Sequence, residues 1–467
     1  MNTPAQAFAQ LKQASLRGPF PTAEERDDRL ARLEKLLVAE RETFVKAIAE
    51  DFSGRSRGET LSADVLLTLD GVRYARKHLR EWMRRKAVNP NPLFLPSRAW
   101  IEYLPRGVVA VIAPWNYPVN LALGPLACAL AAGNRVLLKP SEITSRTAEA
   151  IARAIGDHFS ADEVTVVTGG ADVARAITEL PLDGILFTGS TQVGRLVAQA
   201  AAKNLVPVTL ELGGKSPALI HPEYDLTRAA ERVVVGKLFN GGQTCIAPDY
   251  AMVKRGSEDR FVGQLRAAVD KHYPRLEGLT AIVNERMQKR LESLIADARK
   301  QGAQIVPLAD SGAGRVMAPV AVLGATDQMA VMQEEIFGPI LPVETFETID
   351  EALARINARP RPLAFYYFDD SASRVDEVLP RVTSGGAAVN DCLVHFAQEE
   401  LPFGGVGPSG IGSYHGFKGF ETFSHARSVL ASSPLSAARN IMKPPYGTLV
   451  DRSLEALIRR LEMLRGR

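Results

Sequence analysis

The chain has 467 residues, 46% hydrophobic and 23% charged, which suits an ordinary globular protein of two or three domains, since one core rarely serves this length. Its 56 Lys and Arg against 53 Asp and Glu leave a net charge of +3, too balanced for a nucleic-acid partner. Cys128, Cys245 and Cys392 form no CxxC and the seven His are scattered, so free thiols in a reducing compartment are expected and no metal site.

The N-terminus has no charged-then-apolar leader pattern, and no apolar run approaches the roughly 18–20 residues that cross a bilayer. A cytoplasmic protein without an integral membrane segment is therefore expected. Residues 23–50 predict a helix with Leu30, Leu33, Leu36, Leu37, Phe44 and Ile48 on one apolar stripe. A second helix, about 61–86, ends in a basic run of Arg73, Arg76, Lys77, Arg80, Arg84, Arg85 and Lys86, read as a solvated face. Asn89-Pro90-Asn91-Pro92 and Pro96 then start an extended segment through Ile101–Leu104.

From residue 107 short apolar runs (107–113, 135–139, 164–168, 184–188, 206–210) alternate with Ala-rich helical stretches near 119–132, 144–158, 171–179 and 192–204. That alternation predicts βαβ units and a doubly wound parallel sheet, whose ligands bind beyond the strand C-termini. A second α/β pattern runs from about 212 to 394, with helices near 226–238, 258–272 and 284–301 and strands near 249–254 and 387–390. The tail is rich in Gly and Pro from 395 to about 412, and residues 453–467 predict an amphipathic helix with Leu454, Leu457, Ile458, Leu461 and Leu464 on one side. Docking of that helix on the fold or a partner subunit is favoured over an anionic membrane surface.

Chemistry concentrates in a few motifs. Cys245 closes Gly241-Gly242-Gln243-Thr244-Cys245, where glycines permit close approach to a thiol that is a strong nucleophile as thiolate. Glu211 opens Glu211-Leu212-Gly213-Gly214-Lys215, a carboxylate able to hold a water or take a proton. Asn116, within Pro114-Trp115-Asn116-Tyr117-Pro118 at a strand end, can donate to an oxyanion. Lys139 and Glu142 of Lys139-Pro140-Ser141-Glu142 suit ribose hydroxyls or a plain helix start with Ser141 as cap. Gly189-Ser190-Thr191-Gln192-Val193-Gly194 is a strand-to-helix turn fit for a pyrophosphate. The literal GxGxxG, Gly405-Val406-Gly407-Pro408-Ser409-Gly410, follows no strand and is read as a tight loop approaching a neighbouring site. Glu335 and Phe337 sit in Gln333-Glu334-Glu335-Ile336-Phe337-Gly338-Pro339, either a helix cap or a carboxylate for a cofactor ribose.

In this order PWN, KPSE, FTGSTxxG, ELGGK, GQTC, ExFGP and PFGG resemble the aldehyde dehydrogenase superfamily over nearly the whole chain. The resemblance implies Cys245 as nucleophile, Glu211 as general base, and Asn116 with the Cys245 amide as oxyanion donors. It implies cofactor contacts at Trp115, Lys139, Glu142, Gly189, Ser190, Val193, Gly194, Leu212, Glu335 and Phe337. It implies NAD as cofactor with NADP admitted, since a Glu142 carboxylate favours a free 2′-hydroxyl yet can swing aside. Within the superfamily, Gly404–Gly410, Tyr414-His415-Gly416 and Phe423-Ser424-His425 are shared with the class 3 branch. Together with 21–26 and 395–403 they look closest to bacterial coniferyl aldehyde dehydrogenases.

The implied partner is a small-molecule aldehyde, aromatic like coniferaldehyde or medium-chain aliphatic, with Tyr117, Phe396 and Phe403 as candidate walls. The alternatives are a CoA-acylating relative, disfavoured by Glu211, and a non-catalytic protein on the same fold. The expected fold is α/β: a doubly wound parallel-sheet NAD(P)-binding domain (1–86 and 106–211), an α/β catalytic domain (212–394) and a small β oligomerisation arm (87–105 and 395–430). Residues 431–467 form a C-terminal extension, and the arm suggests a homodimer.

Overall fold

The computed structural model describes residues 3–310, 312–441, 443–444 and 446–465. The first sheet is built from runs too apolar to face water on either side. Val108–Ile112 and Gly184–Thr188 are buried at every residue, as parallel strands covered by helices on both faces must be. Its order is Gly410–Ile411, Val208–Glu211, Gly184–Thr188, Val108–Ile112, Arg135–Lys139 and Val164–Val166. All its pairings are parallel except that of Gly410–Ile411 with Val208–Glu211. The order in which strands are added reverses between the parallel neighbours Val108–Ile112 and Gly184–Thr188, so a crevice opens beyond the C-terminal ends of those two strands.

The second sheet runs Gln304–Pro307, Val320–Leu323, Ile340–Phe346, Tyr250–Lys254, Pro217–Ile220, Ala364–Phe368 and Gly386–Val389, and only its first pairing is antiparallel. A third sheet joins Lys86–Val88, Arg98–Pro105 and Ser424–Ala431, all antiparallel.

The N-terminal stripe is buried as expected, with Leu30, Leu33, Leu36, Leu37, Phe44 and Ile48 all at 0% exposure. It lies on two helices instead of one, Ala23–Ala39 and Arg41–Asp51, because the chain turns at Glu40. The expected 61–86 helix is also shorter. A π-helical turn at Leu61–Leu66 leads into Leu67–Trp82, and Lys86 leaves the helix to pair with Ile101 in the third sheet. Its basic face is not merely solvated. Arg73 and Arg76 bridge to Glu34 at 2.7 and 2.6 Å, and Arg80 to Glu24 at 2.8 Å, so the two helices are latched by opposite charge.

The tail helix spans Thr448–Arg465. Residues 466–467 of the expected helix, and the side chain of Leu464, lie outside the described residues. Leu454, Ile458 and Leu461 are 40%, 56% and 63% exposed, so within one chain the stripe does not dock on the fold.

Candidate active site

The nucleophile candidate is placed by a turn that only glycine tolerates in part. After helix Leu226–Leu238 the backbone goes left-handed at Asn240, Gly241 and Gly242, with φ of 54°, 62° and 80°. A Cβ on Gly241 would strike the Thr280 carbonyl, and one on Gly242 that of Gly338. Gln243 is wholly buried and donates to the Asn240 and Ala281 carbonyls at 2.8 and 3.1 Å while accepting from Val283 N–H at 2.9 Å. The next side chain, Thr244, shares a 2.6 Å hydrogen bond with the Tyr117 hydroxyl. Cys245 follows, half-buried, on the wall of a crevice of about 1230 Å³. Cys128 opens on a separate cavity and Cys392 is buried against Gly236.

Glu211 and Asn116 line the same crevice. Glu211 ends the strand Val208–Glu211, is 2% exposed, and neither of its carboxyl oxygens has a hydrogen-bond partner among the described residues. Burial pushes its pKa well above the ordinary carboxylate range. Burial also pushes the Cys245 thiol up, with the carboxyls of Glu335 and Glu211 adding to the effect. Asn116 is 3% exposed and its amide donates to the main-chain oxygen of Gln243 at 3.1 Å, which leaves its second N–H for another acceptor.

Further along the crevice lie Trp115, Gly189, Ser190, Leu212, Glu335 and Phe337. Ser190 caps the helix Thr191–Ala202, accepting from Val193 N–H, and the remaining first-turn N–H groups beyond Gly184–Thr188 are of the kind that can face an anion. Gly189 and Gly194 keep the turn tight, since a Cβ there would meet Phe187 or Leu212. Phe337, at φ 55°, sits edge-on to Trp115 with ring centroids 5.3 Å apart. Glu335 is half-buried, its buried Oε1 has no hydrogen-bond partner among the described residues, and burial followed by the Asp249 charge raises its pKa to about 8.

Residues that motif reading passed over hold this loop. Arg290 donates to the carbonyls of Glu335 and Ile336 at 2.5 and 2.8 Å. Lys215 pairs with Asp249, which accepts from Ile336 N–H at 3.0 Å. Lys215 was visible within its motif; nothing local in the sequence marks Arg290 or Asp249.

Lys139, Glu142, Val193 and Gly194 stand outside the crevice lining. Lys139 is 2% exposed and its Nζ donates to Glu142 at 2.9 Å, while Ser141 caps the short turn Glu142–Thr144, as the helix-start reading of that motif expects. The GxGxxG segment forms the expected tight loop. Its Gly410 pairs with Glu211, Leu212 N–H donates to Ser409 O at 3.1 Å, and Pro408 lines the crevice. Of the candidate substrate walls, Tyr117 and Phe396 pack with Phe239 in one small cluster. Phe403, 6% exposed, sits edge-on to Phe396 at 4.8 Å.

The crevice exceeds the roughly 300–1,000 Å³ of most small-molecule sites. Its lining includes both the Gly189–Ser190 turn at a helix N-terminus and Glu335, whose buried Oε1 has no hydrogen-bond partner among the described residues, a combination compatible with a dinucleotide. Residues 6–429 match the model of the aldehyde dehydrogenase family. A Pseudomonas aeruginosa protein named "Probable coniferyl aldehyde dehydrogenase" is 47% identical over 97% of this chain and 95% of its own length. A substrate-bound Staphylococcus aureus AldH superposes with a TM-score of 0.92 at 36% identity, covering 98% of this chain and 100% of that one. A Mycobacterium tuberculosis aldehyde dehydrogenase complexed with NAD+ gives 0.84 at 28% identity, over 92% and 90%.

Proposed function

The chain belongs to the aldehyde dehydrogenase family, oxidising aldehydes to carboxylic acids with NAD(P)+, and we propose that it does so through a thioester on Cys245. The observation that carries this reading is that Cys245, Glu211 and Asn116, from three distant stretches of chain, line one crevice.

The Cys245 thiolate adds to the aldehyde carbon, and the carbonyl π pair moves to oxygen. That oxyanion receives the free amide N–H of Asn116 and the main-chain N–H of Cys245. On collapse the C=O re-forms and the C–H bond breaks, its electron pair leaving with hydrogen as hydride. NAD(P)+, when bound, supplies the hydride acceptor. Glu211 then takes a proton from water, whose oxygen attacks the thioester carbon; the C–S bond breaks, releasing the acid and restoring the thiolate.

Gly189, Ser190, Val193, Gly194 and Trp115 would hold the pyrophosphate region, Lys139 and Glu142 the adenosine ribose, and Leu212, Glu335 and Phe337 the nicotinamide half. Glu142, as a carboxylate, favours NAD+ over NADP+. The aromatic cluster of Tyr117, Phe239 and Phe396 is bonded through Tyr117 to Thr244, one residue before Cys245. This, with the coniferyl name of the relative, supports an aromatic aldehyde such as coniferaldehyde as substrate, with Phe403 behind Phe396.

The proposed domains are 1–86 and 106–211 for cofactor, 212–394 for catalysis, and 87–105 with 395–430 as an arm, with Gly410–Ile411 of the arm adding a strand to the first sheet and Lys86 pairing into the third. The arm's outer strands leave free edges, which supports a homodimer, testable by sedimentation. Among the described residues no helix is long and apolar enough to cross a membrane, which supports a cytoplasmic site of action.

The test is NADH and NADPH formation with coniferaldehyde, benzaldehyde and hexanal, for the natural chain beside Cys245→Ala. Turnover should vanish in the variant. Turnover that survives means another nucleophile, and a kcat/KM about tenfold higher for hexanal than for coniferaldehyde removes the aromatic assignment.

A further inference from the structure

Two loops of the proposed reaction, around Asn116 and before Cys245, are tied to one buried network centred on a guanidinium outside the crevice lining. The Arg55 side chain has no exposed surface. Its NH1 donates to the main-chain oxygen of Asn116 at 3.0 Å, and its NH2 stands 3.1 Å from Oδ2 of the equally buried Asp64. The group lies over the Tyr117 ring at 4.8 Å. Asp64 Oδ1 accepts from the N–H groups of Val119 and Asn120, both at 3.0 Å, where the Asn116 loop enters the helix Asn120–Ala131.

The same Asn116 oxygen accepts from the Asn240 amide at 2.9 Å. Asn240 N–H in turn donates to Glu59, which also accepts from Thr280 Oγ1 at 2.5 Å and lies 4.0 Å from Arg55 Nε. One buried network thus holds the Asn116 loop at its carbonyl, its exit at two N–H groups, and the turn before Cys245 at Asn240.

Apolar residues of similar volume are often at least as stabilising as a buried ion pair, so stability alone is a weak reason for charge here. A rigid guanidinium fork, unlike an ammonium, serves two acceptors at fixed angles. We propose that Arg55, backed by Asp64 and Glu59, is a positioning residue that fixes the Asn116 peptide so that its free amide N–H meets the oxyanion. This rests on the reading of Asn116 as oxyanion donor.

Arg55→Lys keeps a positive charge beside Asp64 but loses the fork. We expect kcat to fall about ten- to a hundredfold, with the Kd for NADH within about twofold of the natural value. In a double-mutant cycle the loss should vanish when Asn116→Ala is already present, because Arg55 acts through that residue. The pair Arg55→Met with Asp64→Leu removes both charges at once, serves if the single variant does not fold, and should behave alike. Additive losses, or an unchanged kcat in Arg55→Lys, overturn the inference and leave the Asn116 reading standing. A full kcat in Asn116→Ala overturns the oxyanion reading itself, and the inference with it.

Discussion

The carboxyl of Glu335 fills the space that a side chain on residue 213 would need, so that a Cβ on Gly213 would fall on its oxygens. Close approach, not backbone conformation, favours glycine here, since its φ is not left-handed and a Cβ would need the Glu335 carboxyl to move. Gly213→Ala should push Glu335 out of the crevice wall and strain the loop that Arg290 and Lys215 hold. The expected result is an NADH Kd raised about tenfold, read by fluorescence titration, with the fold retained. An unchanged Kd means that Glu335 does not contact the cofactor.

Cys245→Ala and Glu211→Gln should separate the two halves of the reaction. The first leaves cofactor binding and abolishes any NADH burst. The second keeps a first-turnover burst but slows steady turnover by about a hundredfold or more, as the thioester waits for an activated water. A Glu211→Gln variant without a burst would place Glu211 in the acylation step instead.

Burial raises the pKa of both Glu211 and Cys245, and each works only when deprotonated. Turnover should therefore climb from acid to alkaline pH, with a midpoint above the roughly 4.3 of an ordinary Glu. Glu211→Gln should lose the Glu limb from steady turnover while the burst of Cys245 keeps its own. Linkage has the same origin. A carboxyl whose folded pKa is raised contributes stability below its unfolded pKa, and that stability is lost as pH rises through the folded value. Denaturation of Glu211→Gln should accordingly show a flatter fall in stability on the alkaline side.

Leu33 is fully buried between the N-terminal helices and the first sheet's cover. Leu33→Ala should cost about 2–5 kcal/mol by denaturant titration, through lost burial and a residual cavity, with kcat per folded molecule unchanged. A cost under about 1 kcal/mol would mean that the helices reclose over the gap.

Much of the first sheet was legible because its code is local. Arg135–Lys139 and Gly184–Thr188 were expected at those limits, since a strand buried on both faces is a short apolar run between helical stretches. In the second sheet Pro217–Ile220, Gln304–Pro307, Val320–Leu323, Ile340–Phe346 and Ala364–Phe368 were not singled out. Short runs there carry no alternation to tell a strand from a buried helix turn. The helix ending at Trp82 instead of Lys86 was likewise decided by pairing with a distant strand.

For the site, residue type and glycine spacing single out Cys245 and Glu211, and the ordered set of motifs that resembles the aldehyde dehydrogenase superfamily adds Asn116, Glu335 and Phe337. Burial, and with it the rise of the Glu211, Cys245 and Glu335 pKa values, is a property of everything packed around a group and leaves no trace in its neighbours along the chain. Arg55, Glu59 and Asp64 look like three ordinary charges in a helical, polar stretch. Only folding brings them against the groups they hold, 55 to 221 residues away in sequence at Val119, Asn116, Asn240 and Thr280, because hydrogen bonds depend on distance in space and not on order in the chain.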